Sequence, residues 1–178
     1  MKVINSLKTT INGIINNKKY LLFLTVIPLI IDIITKNLIK SKLMLYDAVP
    51  VIDGFFNIVY VLNPGAAFSF LHDMNESYRR LFFITVTIIA IFVVLYIFAR
   101  EKSKINTAGF ALILSGAIGN LIDRIIIGKV VDFLDFYYKT YHFPAFNVAD
   151  SCITVGVALI IIDILFFSKK RDNDKKSV

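Results

Sequence analysis

The stretch TAGFALILSGAIGNLIDRIII, residues 107–127, is apolar over the thickness of a bilayer, and its charged residues crowd at one end. An α-helix needs ~20 apolar residues to cross a hydrocarbon core of ~30 Å. Three further runs have similar lengths: YLLFLTVIPLIIDIITKNLI (20–39), LFFITVTIIAIFVVLYIFA (81–99) and DSCITVGVALIIIDILFF (150–167). Only helices and closed barrels satisfy the backbone in lipid, and these runs lack the two-residue alternation of barrel strands. The expected fold is a mainly α membrane protein with four transmembrane helices. The chain reads as one integral membrane domain over 1–178, with outside loops at 40–80 and 128–149. The first run is expected to stay as a helix rather than be cleaved. A long polar segment precedes it, no small-residue cleavage site follows, and Asp32 and Lys36 interrupt it.

Composition agrees. The chain is 57% hydrophobic and only 19% charged, with a mean hydropathy of +0.71, more apolar surface than a soluble domain of this size can bury. Twelve Lys and Arg residues fall in 1–19, in 100–106 and after residue 168, all on one side of a four-helix topology, against six in the two opposite loops. The positive-inside rule then places both termini in the cytoplasm. The net charge of +7 is first a topology signal. Its basic residues are scattered at helix ends, which does not make a nucleic-acid surface. One cysteine, Cys152, excludes an intramolecular disulfide, and two histidines without an HExxH pattern give no zinc site.

The outside loops carry their own signals. AVPVIDGFFNIVYVLNPGAAFSF, 48–70, has β-branched and aromatic residues before an Asn-Pro-Gly turn, and reads as a short extended platform at the membrane surface. GKVVDFLDFYYKTYHFPAFNVA, 128–149, is rich in aromatics of the kind found at headgroup depth.

Ionisable residues within spanning helices cost roughly 2.5–3.5 kcal/mol on insertion scales and face the bundle interior. Asp32 and Lys36 lie four apart on the first helix and can pair, either to fix its rotation or to meet substrate. Asp163 is near the cytoplasmic end of the last helix. In SGAIGNLIDRIII, Ser115, Gly116, Ala117 and Gly119 permit close helix approach, and Asn120 and Asp123 share a face. Arg124 beside Asp123 is a poor setting for an acid that must hold a proton, so this trio reads as structural or substrate-orienting. Asp132 has apolar neighbours where the third helix leaves the membrane, and Asp150 stands at matching depth where the fourth enters. The connecting loop allows the two to meet, although two unrelated interfacial aspartates would look the same. A meeting pair would share a proton, one acid activating water while the other donates to a carbonyl or leaving nitrogen.

The blocks DIITK (32–36), NPGAAFS (63–69), GNLIDR (119–124), VVDF (130–133) and FNVADS (146–151) resemble, in order, the signature blocks of the lipoprotein signal peptidases, or signal peptidase II. The resemblance runs from the first spanning helix into the fourth. It implies a bacterial membrane aspartyl endopeptidase that removes the signal peptide of diacylglyceryl-modified prolipoproteins just before the lipidated cysteine. It implies a catalytic dyad of Asp132 and Asp150, with Asp123 a rival for the first role. It also implies substrate-holding or site-supporting positions at Asn63, Asn120, Arg124 and Asn147, small positions at Gly65 and Ala149, and the helix pair Asp32 and Lys36. A small extracytoplasmic β-cradle and an interfacial helix or lid are implied within 40–79 and 133–147. No cofactor or metal is implied, and the partners are prolipoproteins and membrane lipid, with a monomer expected in the inner membrane and the active site on its extracytoplasmic face.

Rivals are a proton-coupled transporter or channel using the same carboxylates, and a structural adaptor. Transport calls for polar groups across the full depth, whereas here they cluster at one face. Cys152, Ser151 and Ser115 have no histidine near in sequence to activate them, against a cysteine or serine peptidase.

Overall fold

The computed structural model describes residues 2–65 and 75–167. Helix α1 (Lys2–Asn16) is followed by a short turn and by α2 (Leu21–Lys42), whose first six residues, Leu21–Val26, wind as a π-helical turn. Then come β1 (Ala48–Ile52), β2 (Phe56–Asn63), α3 (Glu76–Arg100), α4 (Lys104–Ile126), β3 (Val130–Tyr138), β4 (Tyr141–His142) and α5 (Val148–Phe166). Helices α2 to α5 are each long and apolar enough to cross a membrane. All four expected spans are present, with ends displaced by at most a turn or so. The NPGAAFS block beyond Gly65 lies outside the described residues.

The molecule is apolar outside and polar within. Large side chains such as Ile34, Leu38, Phe92 and Leu165 are more than half exposed, while Lys36, Asp32, Asp132, Asn147 and Asp163 are no more than 2% exposed. Burial that inverted is stable only when lipid, not water, surrounds the bundle. Helices α4 and α5 form its centre, where glycine faces glycine. A Cβ on Gly109 would come to 2.7 Å from the Gly156 carbonyl, and one on Gly156 to 2.5 Å from the Gly109 carbonyl. With no hydrophobic force between helices in lipid, such close backbone approach supplies the van der Waals contact. Phe98, Ala111 and Leu114 form a small apolar core at the end where α3 finishes. There Asp163 is fully buried and accepts from the Ser103 hydroxyl at 2.9 Å.

At the opposite end lies an antiparallel sheet in the order β1-β2-β3-β4. The platform expected from 40–79 is only half of it. Residues 130–138, read from sequence as an interfacial loop, form a third strand paired along β2, with Val61 opposite Asp132 and Asn63 opposite Val130. Phe136 stacks between Phe56 and Phe146, with centroids 4.6 and 5.9 Å away. Those aromatics serve cross-strand packing. Within 133–147 the described structure is strand and extended chain, so a lid helix is not found there.

Candidate active site

The sheet matters because it delivers Asp132 to the mouth of the bundle. β3 begins four residues after α4 ends, and its Asp132 is 2% exposed beneath β2. Across from it, α5 starts at a capping box. The Asn147 side chain accepts from the Asp150 amide at 2.9 Å, and the Asp150 carboxylate accepts from the Asn147 amide at 3.3 Å. The reciprocal bonds satisfy two orphan amides of the helix start and fix the orientation of Asp150. Its negative charge also suits the first turn of a helix.

Asn147 does more than cap. Its side-chain amide donates to Asp132 Oδ1 at 2.7 Å, to the Val131 carbonyl at 3.2 Å and to Asn120 Oδ1 at 3.3 Å. It is fully buried and ties Asp132, Asp150 and α4 together. Asn120 donates to Asp150 Oδ1 at 2.7 Å and accepts from Lys36 Nζ at 3.1 Å. On the other side, Asn63 donates to Asp132 Oδ2 at 2.9 Å. The Gly65 amide orients it by donating to Asn63 Oδ1 at 2.8 Å. Gly65 has φ +95° and the Phe83 ring fills the place of a Cβ, so glycine is required twice over.

A second cluster lies one layer deeper. Lys36 pairs with Asp32 at 2.8 Å and with Asp123 at 3.0 Å. Both acids also accept backbone amides: Ala149 donates to Asp32 Oδ1 at 2.9 Å, the oxygen that Lys36 leaves free, and Val131 donates at 3.1 Å to Asp123 Oδ2, the same oxygen that Lys36 meets. The cluster therefore grips the residues next to Asp150 and Asp132 in the chain. The cation serving Asp123 is Lys36 and not its neighbour Arg124, which donates to the Asn120 carbonyl at 3.3 Å and lies over the Phe83 ring at 5.3 Å. Gly116 must lack a side chain because the Ala149 carbonyl sits where its Cβ would be, and the Ala149 methyl packs against Gly119, 3.3 Å from where a Cβ there would stand.

The electrostatics of Asp132 set it apart. Burial pushes its carboxyl up to about 7, helped by the charge of Asp150, and the amides of Asn63 and Asn147 pull in the other direction. Proton exchange near neutral pH is what acid-base chemistry needs. Asp150 lines an open, mostly apolar cavity of ≈ 530 Å³ with Phe143, Ala145, Thr154 and Val155.

Every residue expected at the site lies in or against this network. Sequence reasoning missed the walls and the bracing. The cavity residues 143–145 read as loop. Arg80, which donates to the carbonyls of Arg124 and Ile125 at 3.0 and 2.5 Å and closes the open end of α4, reads as one more loop cation. Its only signal is its place at a helix start facing that end.

A buried Asp132 and a half-buried Asp150, tied together by asparagine amides at one end of a bundle of membrane-length helices, fit the class of membrane aspartic peptidases. The family model described as signal peptidase (SPase) II matches residues 24–166. A lipoprotein signal peptidase of Geobacter metallireducens is 46% identical over 160 residues, covering 89% of this chain and 98% of that protein. One of Geobacter sulfurreducens is 54% identical over 139 residues, covering 77% and 86%. A solved structure described as a bacterial membrane enzyme superposes with TM-score 0.72 at 34% identity, covering 86% of this chain and 94% of the other. The chain belongs to the signal peptidase II family. That membership makes it a peptidase and leaves the transporter reading without support.

Proposed function

We propose that this chain cleaves the signal peptide from diacylglyceryl-modified prolipoproteins just before the lipidated cysteine, with Asp132 and Asp150 as the catalytic residues. The observation that carries the reading is the Asn147 bridge, which holds both carboxylates at one place beside an open cavity. The lipoprotein signal peptidases to which the chain is similar support the substrate class. Asp150, facing the cavity, takes a proton from water as its oxygen attacks the scissile carbonyl carbon. Asp132, which holds the shared proton, gives it to the carbonyl oxygen. Collapse of the resulting gem-diol breaks the C–N bond, returns a proton from the diol to Asp132 and passes the proton on Asp150 to the leaving amine. Asn63, Asn120 and Asn147 keep the carboxylates in register, and Arg124 stands at the edge of the site.

The protein acts as a monomer in the bacterial cytoplasmic membrane, with the dyad at the extracytoplasmic face. The placement of twelve Lys and Arg residues on the opposite side supports that orientation. The substrate's acyl chains then stay in lipid while its scissile amide reaches the interface, where water is available. The test incubates purified protein with a diacylglyceryl-modified precursor and with the unmodified precursor. Expected is a product beginning at the lipidated cysteine from the first alone, and none from folded Asp132→Asn or Asp150→Asn. Cleavage at near wild-type rate by either variant would overturn the dyad.

A further inference from the structure

Helix α1 precedes the residues that the family model matches and stands at the end of the bundle away from the carboxylates. It docks through its polar and small side. Arg100 donates to the Ser6 hydroxyl at 2.8 Å, and the Asn17 amide donates to the Phe98 carbonyl at 3.4 Å. Gly13 lies so close to Ala99 that a Cβ would overlap the carbonyl. Its apolar side is left open: Ile4, Leu7, Ile11 and Ile15 recur at helical spacing and are each 54–58% exposed. A helix that docks through Ser6, Thr10 and Gly13 and leaves open both an aliphatic stripe and a separate polar face of Asn5, Thr9, Asn12 and Asn16 is built to lie at a lipid surface.

Two further features name the occupant. The stripe continues into the apolar surface of the spanning helices, through exposed Leu22, Phe23 and Val26 at the start of α2 and Tyr96 and Ile97 at the end of α3. Residues 1–31 contain four lysines and no acid, and cations sit over aromatic rings here, Arg100 on Tyr96 at 4.0 Å and Lys19 on Tyr20 at 5.2 Å, as is common at headgroup depth. We propose that α1 is an interfacial helix whose Ile4, Leu7, Ile11 and Ile15 stripe lies at the headgroup–acyl boundary of the leaflet farther from the dyad, held there by lysine contacts with anionic lipid. Lying parallel to the membrane, it anchors that end of the spanning helix α3, beyond what the peptidase reaction itself requires.

The chain has no tryptophan, so Leu7→Trp and Thr9→Trp are each single reporters, on the apolar stripe and off it. Both are reconstituted as the full chain in phosphatidylcholine/phosphatidylglycerol vesicles with acyl-brominated lipid, and both should still cleave precursor. Quenching of Leu7→Trp should exceed that of Thr9→Trp by about threefold, and should fall by about half when phosphatidylglycerol is omitted. Equal quenching at both positions would overturn the proposal. So would a blue-shifted Leu7→Trp that bromolipid does not quench, which would mean that protein covers the stripe. Quenching indifferent to phosphatidylglycerol would overturn the anionic contact.

Discussion

Four aspartates occupy the polar end of the bundle, held in two ways. Asp32 and Asp123 share Lys36 at 2.8 and 3.0 Å. Asp132 and Asp150 are held by the side-chain amides of Asn63, Asn120 and Asn147, and among the described residues neither is within ion-pair distance of a Lys or Arg. A lysine shared by two acids ties them to one another by charge, whereas a side-chain amide fixes a carboxylate's position without a charge of its own. In the proposed mechanism the cation-held pair is the bracing and the amide-held pair carries the chemistry. Both are needed, because Asp32 and Asp123 receive the backbone amides of Ala149 and Val131, the neighbours of the other two.

The largest expected break in that division is at the amide-held pair. Asp132→Asn or Asp150→Asn should lower kcat/KM for a lipidated precursor by about 10³-fold or more, with the thermal unfolding midpoint little changed. An Asn at 150 keeps the acceptor that closes the capping box. Lys36→Met attacks the other pair and strands two buried acids, so detergent-solubilised protein should lose roughly 3–5 kcal/mol of stability, measured by unfolding. Asn147→Ala removes the bridge between the two settings. Loss of the cap should cost about 1 kcal/mol, and displacement of the carboxylates should lower kcat by about 10–100-fold.

The smallest effect is on the pH profile. Asp132, raised to about 7, holds its proton below that pH and loses it above. If it is the acid, kcat/KM should fall as pH rises through about 7. Asn63 donates to the ionised form, so Asn63→Ala should move this alkaline limb upward, by on the order of half a unit. A rate that instead rises through about pH 7, with that acidic limb moved upward in Asn63→Ala, would mean that Asp132 works as the base.

Much of this was legible in sequence where the signal is local. Four apolar runs mark the four spans. The i,i+4 spacing of Asp32 and Lys36 anticipates their ion pair. What could not be read there depends on distant pairings. Lys36 meets Asp123 across 87 positions of chain, and the nearer cation, Arg124, competes for that assignment in any local reading. The strand 130–138 was hidden because VVDFLDFYY is nearly continuous in apolar and aromatic residues, a pattern shared by a strand buried between layers and a chain lying at a membrane surface. The basic segment 1–19 shows its charge at once. That the side carrying Ser6, Thr10 and Gly13 would be the docked one depends on Gly13 meeting Ala99, which no pattern in the segment announces.

The most direct test sets one acid of each pair against the other. Asp123→Asn and Asp150→Asn are purified side by side, and cleavage rate per folded molecule is plotted against unfolding midpoint. Expected are an Asp123→Asn protein that unfolds earlier yet keeps activity within about tenfold of wild type, and an Asp150→Asn protein that unfolds normally yet is about 10³-fold slower. The reverse pattern, an inactive Asp123→Asn of normal stability beside an active Asp150→Asn, would contradict the division between bracing and chemistry.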